Sequence, residues 1–348
     1  MLVSCAGGAT TAQTPEPADH PVASAALPAA TTATLEPADP APLPIPEAVE
    51  ELPPRIDGMI LVPAGPFIMG ADSGGQPDEW PAHTVTLPAF YLDENEVTNE
   101  EWSRCVAANE CPPPEPSNAD RNGLGPDKRF RGPRQPVSSI SWFSARAYCA
   151  FVGKRLPTEA EFEKASRGTD GRLYPWGNSP PGPTRAVFGQ SVTLDVGTHP
   201  DGDGPYGHHD LAGNVWEWLE DVYDPFAYRR PEASIGQSVN CAVAESAYAK
   251  LRRRNQQGFT GSNPIPTECE RVLRGGAFNY HALGLRATNR VHHPPRYRMV
   301  MSGLRCARDA NRPRVHAAEP DAHGPEPQSK QRIDPSERER TYMPVSRF

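Results

Sequence analysis

Proline occurs 42 times in this 348-residue chain. Inside a helix it removes a backbone donor and clashes with the preceding turn, and in a sheet it is confined to edges and bulges. With 29 glycines beside it, such a chain is expected to fold as a loop-rich domain with few regular elements. Apolar residues make up 37%, below the roughly 45–50% of globular chains, a range that also counts glycine. The length suits one large domain or two small ones. A formal net charge of -8 leaves no basic footprint for nucleic acid. No apolar run reaches the length of a membrane-spanning helix.

The flanks differ from the middle. "LVSC" (Leu2 to Cys5) is similar to a bacterial lipobox, in which the cysteine becomes the lipidated mature N-terminus. Residues 1–5 are read as a lipobox remnant. Residues 6–55, rich in Ala, Pro, Thr and Glu, are read as a disordered tether. The basic and apolar parts of a leader are missing, so the true start is expected upstream of Met1. The alternative is a chance cysteine in a disordered cytosolic N-terminus. Residues 310–348 are polar and of mixed charge and read as a disordered tail. The folded region is therefore 56–309, without internal repeats.

Inside that region, "GMILVPAGPFIMG" (Gly58 to Gly70) reads as two short strands around a Pro-Ala-Gly turn. An alternating strand pattern follows, then a helix from Thr98 with Glu101 completing a capping box. Residues 112–134 read as a loop. "SWFSARAYCAFVG" predicts a helix capped by Ser141 and ended by Gly153. "LPTEAEFEKASRG" predicts another, with Thr158 and Glu161 as capping box and Gly168 as stop. Long irregular stretches follow, with strands expected near Val272 to Phe278 and Ser302 to Cys306. Arg252 to Arg254 read as a solvated surface loop, and "DGDG" (Asp201 to Gly204) as a tight turn.

Six segments then carry a resemblance: "MILVPAGPFIMG", "DENEVTNEEW", "PVSSISWFSARAYCAFVGKRLPTEAEFEKASRG", "YPWGN", "DLAGNVWEW" and "RVLRGGAF...LRATNR...GLRCAR". In that order they resemble the sulfatase-modifying-factor domain, the fold of formylglycine-generating enzyme, across about 59–308. The resemblance implies an α+β fold, a loop-rich variant of the C-type-lectin-like fold. The family's namesake oxidises a sulfatase cysteine through two active-site cysteines that bind copper, a metal whose Cu(I) state prefers thiolate. Here the first of those positions matches Tyr280, and the second falls near Gly284 and Leu285. No cysteine lies between Cys269 and Cys306, so copper is not expected. The segment resembles family members written "RGGSW...LRSANR", which lack the pair.

"DLAGNVWEW" resembles the family's calcium loop, which implies ligands at Asp210, Gly213, Val215 and Glu217, two carboxylates and two carbonyls of the hard-oxygen kind calcium takes. The alternative is a turn leading into a strand or helix with Trp216 and Trp218 in the core. A second family calcium site, between Trp176 and Asp195, is not carried over because its asparagine is replaced near "AVFG". Cys149 and Cys306 match a structural disulfide of exported family members. Closing that 157-residue separation could add ~4 kcal/mol or more in the chain-entropy model. Cys105 and Cys111, beyond the first helix, would then pair, leaving Cys241 with Cys269; the alternative is that some are buried thiols. An oxidising compartment favours the pairs.

His208, His209, His281, His292 and His293 flank these loops and could hold iron or copper, or be surface and supporting histidines; no His-x-His or His-x-x-x-His spacing favours a metal. Arg274, His281, Arg286, Asn289, Arg290 and His292 could line a groove for a carboxylate or peptide, or form structural salt bridges. The expected function is a lipoprotein of the bacterial cell envelope, in the periplasm or at the cell surface. Its domain would serve as a binding or assembly module with calcium as a structural cofactor. The ligand would be a peptide, protein or small molecule, and membrane contact would run through the lipid anchor alone. A metal-dependent oxidoreductase with a non-cysteine site is the alternative, and a true formylglycine-generating oxidase a third reading.

Overall fold

The computed structural model describes residues 53–114, 127–256, 258 and 263–311. Cys5, all but the last three residues of the 6–55 tether, and the 310–348 tail after residue 311 lie outside them. So does much of the 112–134 loop.

Strands in this chain are short because prolines and glycines interrupt them. β1 (Arg55–Ile56), β2 (Met59–Val62), β5 (Phe90–Asp93) and β10 (Ala307–Asp309) form an antiparallel sheet in the order β1-β2-β5-β10. β3 (Gly65–Met69) and β4 (His83–Leu87) form a hairpin ribbon. β6 (Trp216–Val222), β7 (Arg271–Arg274), β8 (Val291–His293) and β9 (Ser302–Gly303) form the third sheet, ordered β8-β7-β6-β9, with β9 parallel to β6. The architecture is α+β with little regular structure. The strand expected over Ser302 to Cys306 is realised only at Ser302–Gly303, beside β6; the chain then crosses to β5, where β10 begins at Ala307. The strand expected to Phe278 stops at Arg274, where two glycines turn the backbone.

Helix ends follow local capping chemistry. α1 (Asn99–Ala107) and α3 (Glu159–Arg167) start on capping boxes at Thr98/Glu101 and Thr158/Glu161. α2 (Trp142–Phe151) starts on Ser141, whose hydroxyl accepts from the Ser144 amide. α4 (Cys241–Arg254) overturns the reading of irregular structure there, and Arg252 to Arg254 are its last turn rather than a loop. Its buried stripe is Ala244, Ala247, Tyr248 and Leu251, a helical i, i+3, i+4, i+7 pattern.

Two apolar clusters carry the core. One gathers Phe67, Phe90, Phe162, Tyr223 and Tyr248 beneath the ribbon and α3. The other gathers Trp102, Trp142, Trp216 and Trp218 around the buried cysteines of α1 and α2. The indoles of Trp142 and Trp218 donate to the carbonyls of Leu219 (2.8 Å) and Ile140 (3.1 Å), so the polar edges of both rings are satisfied where they are buried.

Disulfides join Cys105–Cys111, Cys149–Cys306 and Cys241–Cys269. Cys105 lies inside α1 rather than beyond it. Three disulfides fit an oxidising, extracytoplasmic compartment. Among the described residues no helix is long and apolar enough to cross a membrane.

Candidate functional site

β7 delivers the chain to Gly275 and Gly276, both at positive φ (98° and 85°). A Cβ on Gly276 would stand 2.9 Å from the Gly284 carbonyl oxygen, so glycine lets the returning strand pass. The backbone then presents Asn279, Tyr280 and His281 toward solvent before a 3-10 turn at Ala282–Leu285. Tyr280 is half-buried, its ring edge-on to Trp216 with centroids 5.2 Å apart, and burial raises its phenol above the ordinary value. The carbonyls of Phe278 and Tyr280 accept from Gln190 (2.6 Å) and Gly189 (2.9 Å), which ties the segment to the 186–190 strip.

Beside the turn lies a cavity of about 560 Å³, walled by Ile68, Leu173, Tyr174 and Leu283 with Arg286 and Thr288 at its base. Three of these apolar side chains are well exposed: Ile68 at 41%, Leu173 at 39% and Leu283 at 65%.

The arginines on either side of the glycines face inward. Arg274 pairs with Glu163 and lies 3.1 Å from Glu159. Arg286 grips Glu79 with both guanidinium ends (2.6 and 2.7 Å). Arg290 grips Glu159 (2.6 and 2.9 Å) and donates to the Asp78 carbonyl (2.8 Å). His292 pairs with Glu270 at 2.5 Å and stacks on Tyr223. Asn289 donates to the Gly284 carbonyl at 3.2 Å. Of the expected groove residues, His281 is exposed and Arg286 reaches the cavity base; Arg274, Arg290 and His292 are buried supports. Their partners Glu79, Glu159 and Glu163 were not legible as such, because nothing local marks a helical glutamate as interior.

Among the described residues, one buried acid has no ion-pair partner of its own. Asp221 on β6 accepts from the Glu159 amide at the start of α3 (2.8 Å). Burial first, and the nearby Glu159 charge second, push its carboxyl up to about 7. The native state therefore holds a proton that the unfolded state releases near 3.8, so stability falls as pH rises from about 4 to about 7 and is flat beyond. Asp221→Asn is expected to be more stable than the parent at pH 8, by on the order of 1 kcal/mol, with the gap closing near pH 4. Thermal melts of both proteins across that range check this.

A second concentration of charge surrounds "DLAGNVWEW". Asp210, Gly213 and Asn214 all take positive φ. A Cβ on Gly213 would meet the Val187 carbonyl oxygen at 2.6 Å. Asp210 accepts from the Gly197 amide (2.7 Å). Glu217 takes both ends of Arg305 (2.7 and 2.8 Å). Glu96, overlooked in the sequence, accepts from Asn214 Nδ2 (2.7 Å) and the Val215 amide (3.1 Å). All three carboxyls are raised, by burial first. Three buried acids thus stand beside the single guanidinium of Arg305. Among the described residues no three Asp, Glu, His or Cys side chains converge on one point, so a cation here would need backbone carbonyls beside Asp210 and Glu217.

The histidines disperse. His208 is buried, and desolvation first, then Arg305, push it down to about 3. His209 bonds Asp203 at 2.6 Å. His293 stacks on Tyr297, and burial pushes it down to about 3.

Residues 46–310 match the family model of the sulfatase-modifying factor enzyme 1-like domain. The chain belongs to that family. Relatives of this sulfatase-modifying-factor domain are diverse. The formylglycine-generating enzyme of Streptomyces coelicolor is 31% identical, with 75% of this chain and 92% of that one covered. The hercynine oxygenase of Mycolicibacterium smegmatis is 29% identical over 72% of this chain and 61% of its own length. The serine/threonine-protein kinase Pkn1 of Chlamydia trachomatis is 32% identical over 74% and 39%. The chain thus spans less than two thirds of the last two. Its fold superposes on PvdO from Pseudomonas aeruginosa with a TM-score of 0.57 and 25% identity, covering 72% of this chain and 94% of that one. The sulfatase-modifying-factor domain here thus carries the Arg-Gly-Gly frame with Tyr280, not a cysteine, after it, and the six cysteines of 105–306 all stand in disulfides.

Proposed function

We propose that this chain is an extracytoplasmic binding module on an oxidase-type frame, without sulfatase-cysteine oxidase activity. One observation carries the reading: no thiol stands on or beside the Arg-Gly-Gly segment, where Cu(I) would need two. What remains at that place is the cavity beside Leu283, and an apolar segment of a partner protein is its best-fitting occupant. Copper-loaded protein incubated in air with a Cys-x-Pro-x-Arg peptide is expected to yield no aldehyde above the copper-only control; mass spectrometry detecting formylglycine would sink the reading.

Lipidation at Cys5 belongs to the same proposal, and mass analysis of the mature N-terminus tests it. So does calcium at Asp210 and Glu217 with the Gly213 and Val215 carbonyls, which the excess of buried acid supports. Protein stripped with EGTA is expected to gain about 2–3 kcal/mol when calcium is restored to ~100 times its dissociation constant. The gain should vanish in Asp210→Ala; an unchanged melting curve in the parent would refute the site.

The similarity to hercynine oxygenases favours a second reading, a metal-dependent oxidoreductase with a histidine site. Stoichiometric iron or copper, lost on His281→Ala, would establish it over the first.

A further inference from the structure

Most guanidinium groups of the described fold are tied to carboxylates; the outer end of α4 departs from this. Lys250, Arg253 and Arg254 are exposed, and no carboxylate among the described residues pairs with them. They occur in a chain whose formal net charge is -8. The negative end of the helix dipole accounts for Arg253 and Arg254 in the last turn, but not for Lys250 one turn before them. Lys250 also borders an open groove of about 570 Å³ between α4 and the 3-10 turn at Ala227–Arg229. Arg229 and Arg230 form its other rim, and Phe226, Val243 and Ala247 line it between.

The groove is built on a fixed element. Asn240 caps the start of α4, its side chain accepting from the Val243 amide at 3.1 Å. Asn255 closes the end in the left-handed conformation. The Cys241–Cys269 disulfide joins the helix start to the strand that returns to the core, and Arg252 donates to the Pro266 carbonyl. Inward, Tyr248 donates to the Tyr223 carbonyl. The helix is thus anchored at both ends and on its inner side, and its outward face is left uncovered by the described residues.

We propose that this groove docks an acidic, extended segment of a partner protein. Its carboxylates would meet Lys250, Arg253 and Arg254, and an apolar side chain would rest on Phe226 and Val243. Charge complementarity selects the sign of the partner. The helix itself argues against a lipid surface. A membrane-lying helix carries a broad apolar face, whereas the exposed residues of α4 are Ala242, Val243, Glu245, Ser246, Lys250, Arg252, Arg253 and Arg254, with Val243 the sole large apolar group.

The test uses the full chain and a fluorescein-labelled peptide of four Glu-Leu-Pro repeats, which proline keeps extended. The same repeat with lysine for glutamate and vesicles of phosphatidylcholine with phosphatidylglycerol are run beside it. Fluorescence anisotropy is expected to show binding of the acidic peptide alone, weakening with salt as exposed charge pairs do. The K250E/R253E/R254E variant is expected to lose about tenfold or more in affinity, and Val243→Asp to weaken it further, with melting curves unchanged. Equal binding of both peptides, vesicle capture without peptide binding, no binding at all, or full affinity in the triple variant would each overturn the assignment.

Discussion

An Arg290→Ala variant is expected to lose about 3–5 kcal/mol of unfolding free energy, the cost of removing one partner from a buried ion pair. The guanidinium donates twice to Glu159, once to the Asp78 carbonyl at 2.8 Å, and lies over the rings of Tyr228 (4.6 Å) and Tyr223 (5.1 Å). Burial pushes the Glu159 carboxyl up; the charges of Arg290 and Arg274 together outweigh it and hold the group below its ordinary value. With Arg290 gone, burial dominates and the folded-state value of Glu159 rises above the unfolded one. The variant's native state then binds the extra proton, so its deficit should widen from pH 5 to pH 8. Arg290→Lys keeps a charge but not the planar two-point grip, so an intermediate loss is expected. Urea denaturation at both pH values reads all three proteins. A loss below 1 kcal/mol in the alanine variant would mean that Arg274 alone satisfies Glu159.

That network also shows where sequence reasoning stops. The starts of α1, α2 and α3 were legible because a cap is a contact over three residues, written locally as Thr98/Glu101, Ser141/Ser144 and Thr158/Glu161. The arginine partners were not, because Arg290 meets Glu159 across 131 residues and Arg286 meets Glu79 across 207. α3 is charged at five of nine positions, "EAEFEKASR", yet buried along its whole length; a reading by polarity puts such a helix at the surface. α4 escaped for the opposite reason. Two of the four residues in its buried stripe are alanines, and "CAVAESAYAKLRRR" shows little contrast between faces. The site followed the same division. Tyr280 in place of a thiol was read through the family resemblance of the Arg-Gly-Gly segment, whereas the cavity beside Leu283 needs Ile68 and Leu173 brought to it from far along the chain.

Removing the Cys149–Cys306 crosslink should have the largest effect of all. Its ends are 157 residues apart, and a loop of that length restricts the unfolded chain by about 5 kcal/mol in the entropy model. The bond ties the last turn of α2 to the residue just before β10, within the tryptophan cluster. Cys306 is also where a buried acid is anchored, since its amide donates to Asp93 at 2.8 Å, and Asp93 in turn holds Lys154 at 2.5 Å. A C149S/C306S double variant leaves no odd thiol and is expected to fold poorly at 37 °C. Where it folds, its midpoint in urea should fall by that order. Cys105–Cys111 closes a separation of only six residues, so the same model assigns it a smaller loss, about 2 kcal/mol. The order of the two losses distinguishes the explanations: if restriction of the unfolded chain dominates, the long-range bond costs more; if native packing around the sulfurs dominates, the losses are equal, because both disulfides lie in the same buried cluster.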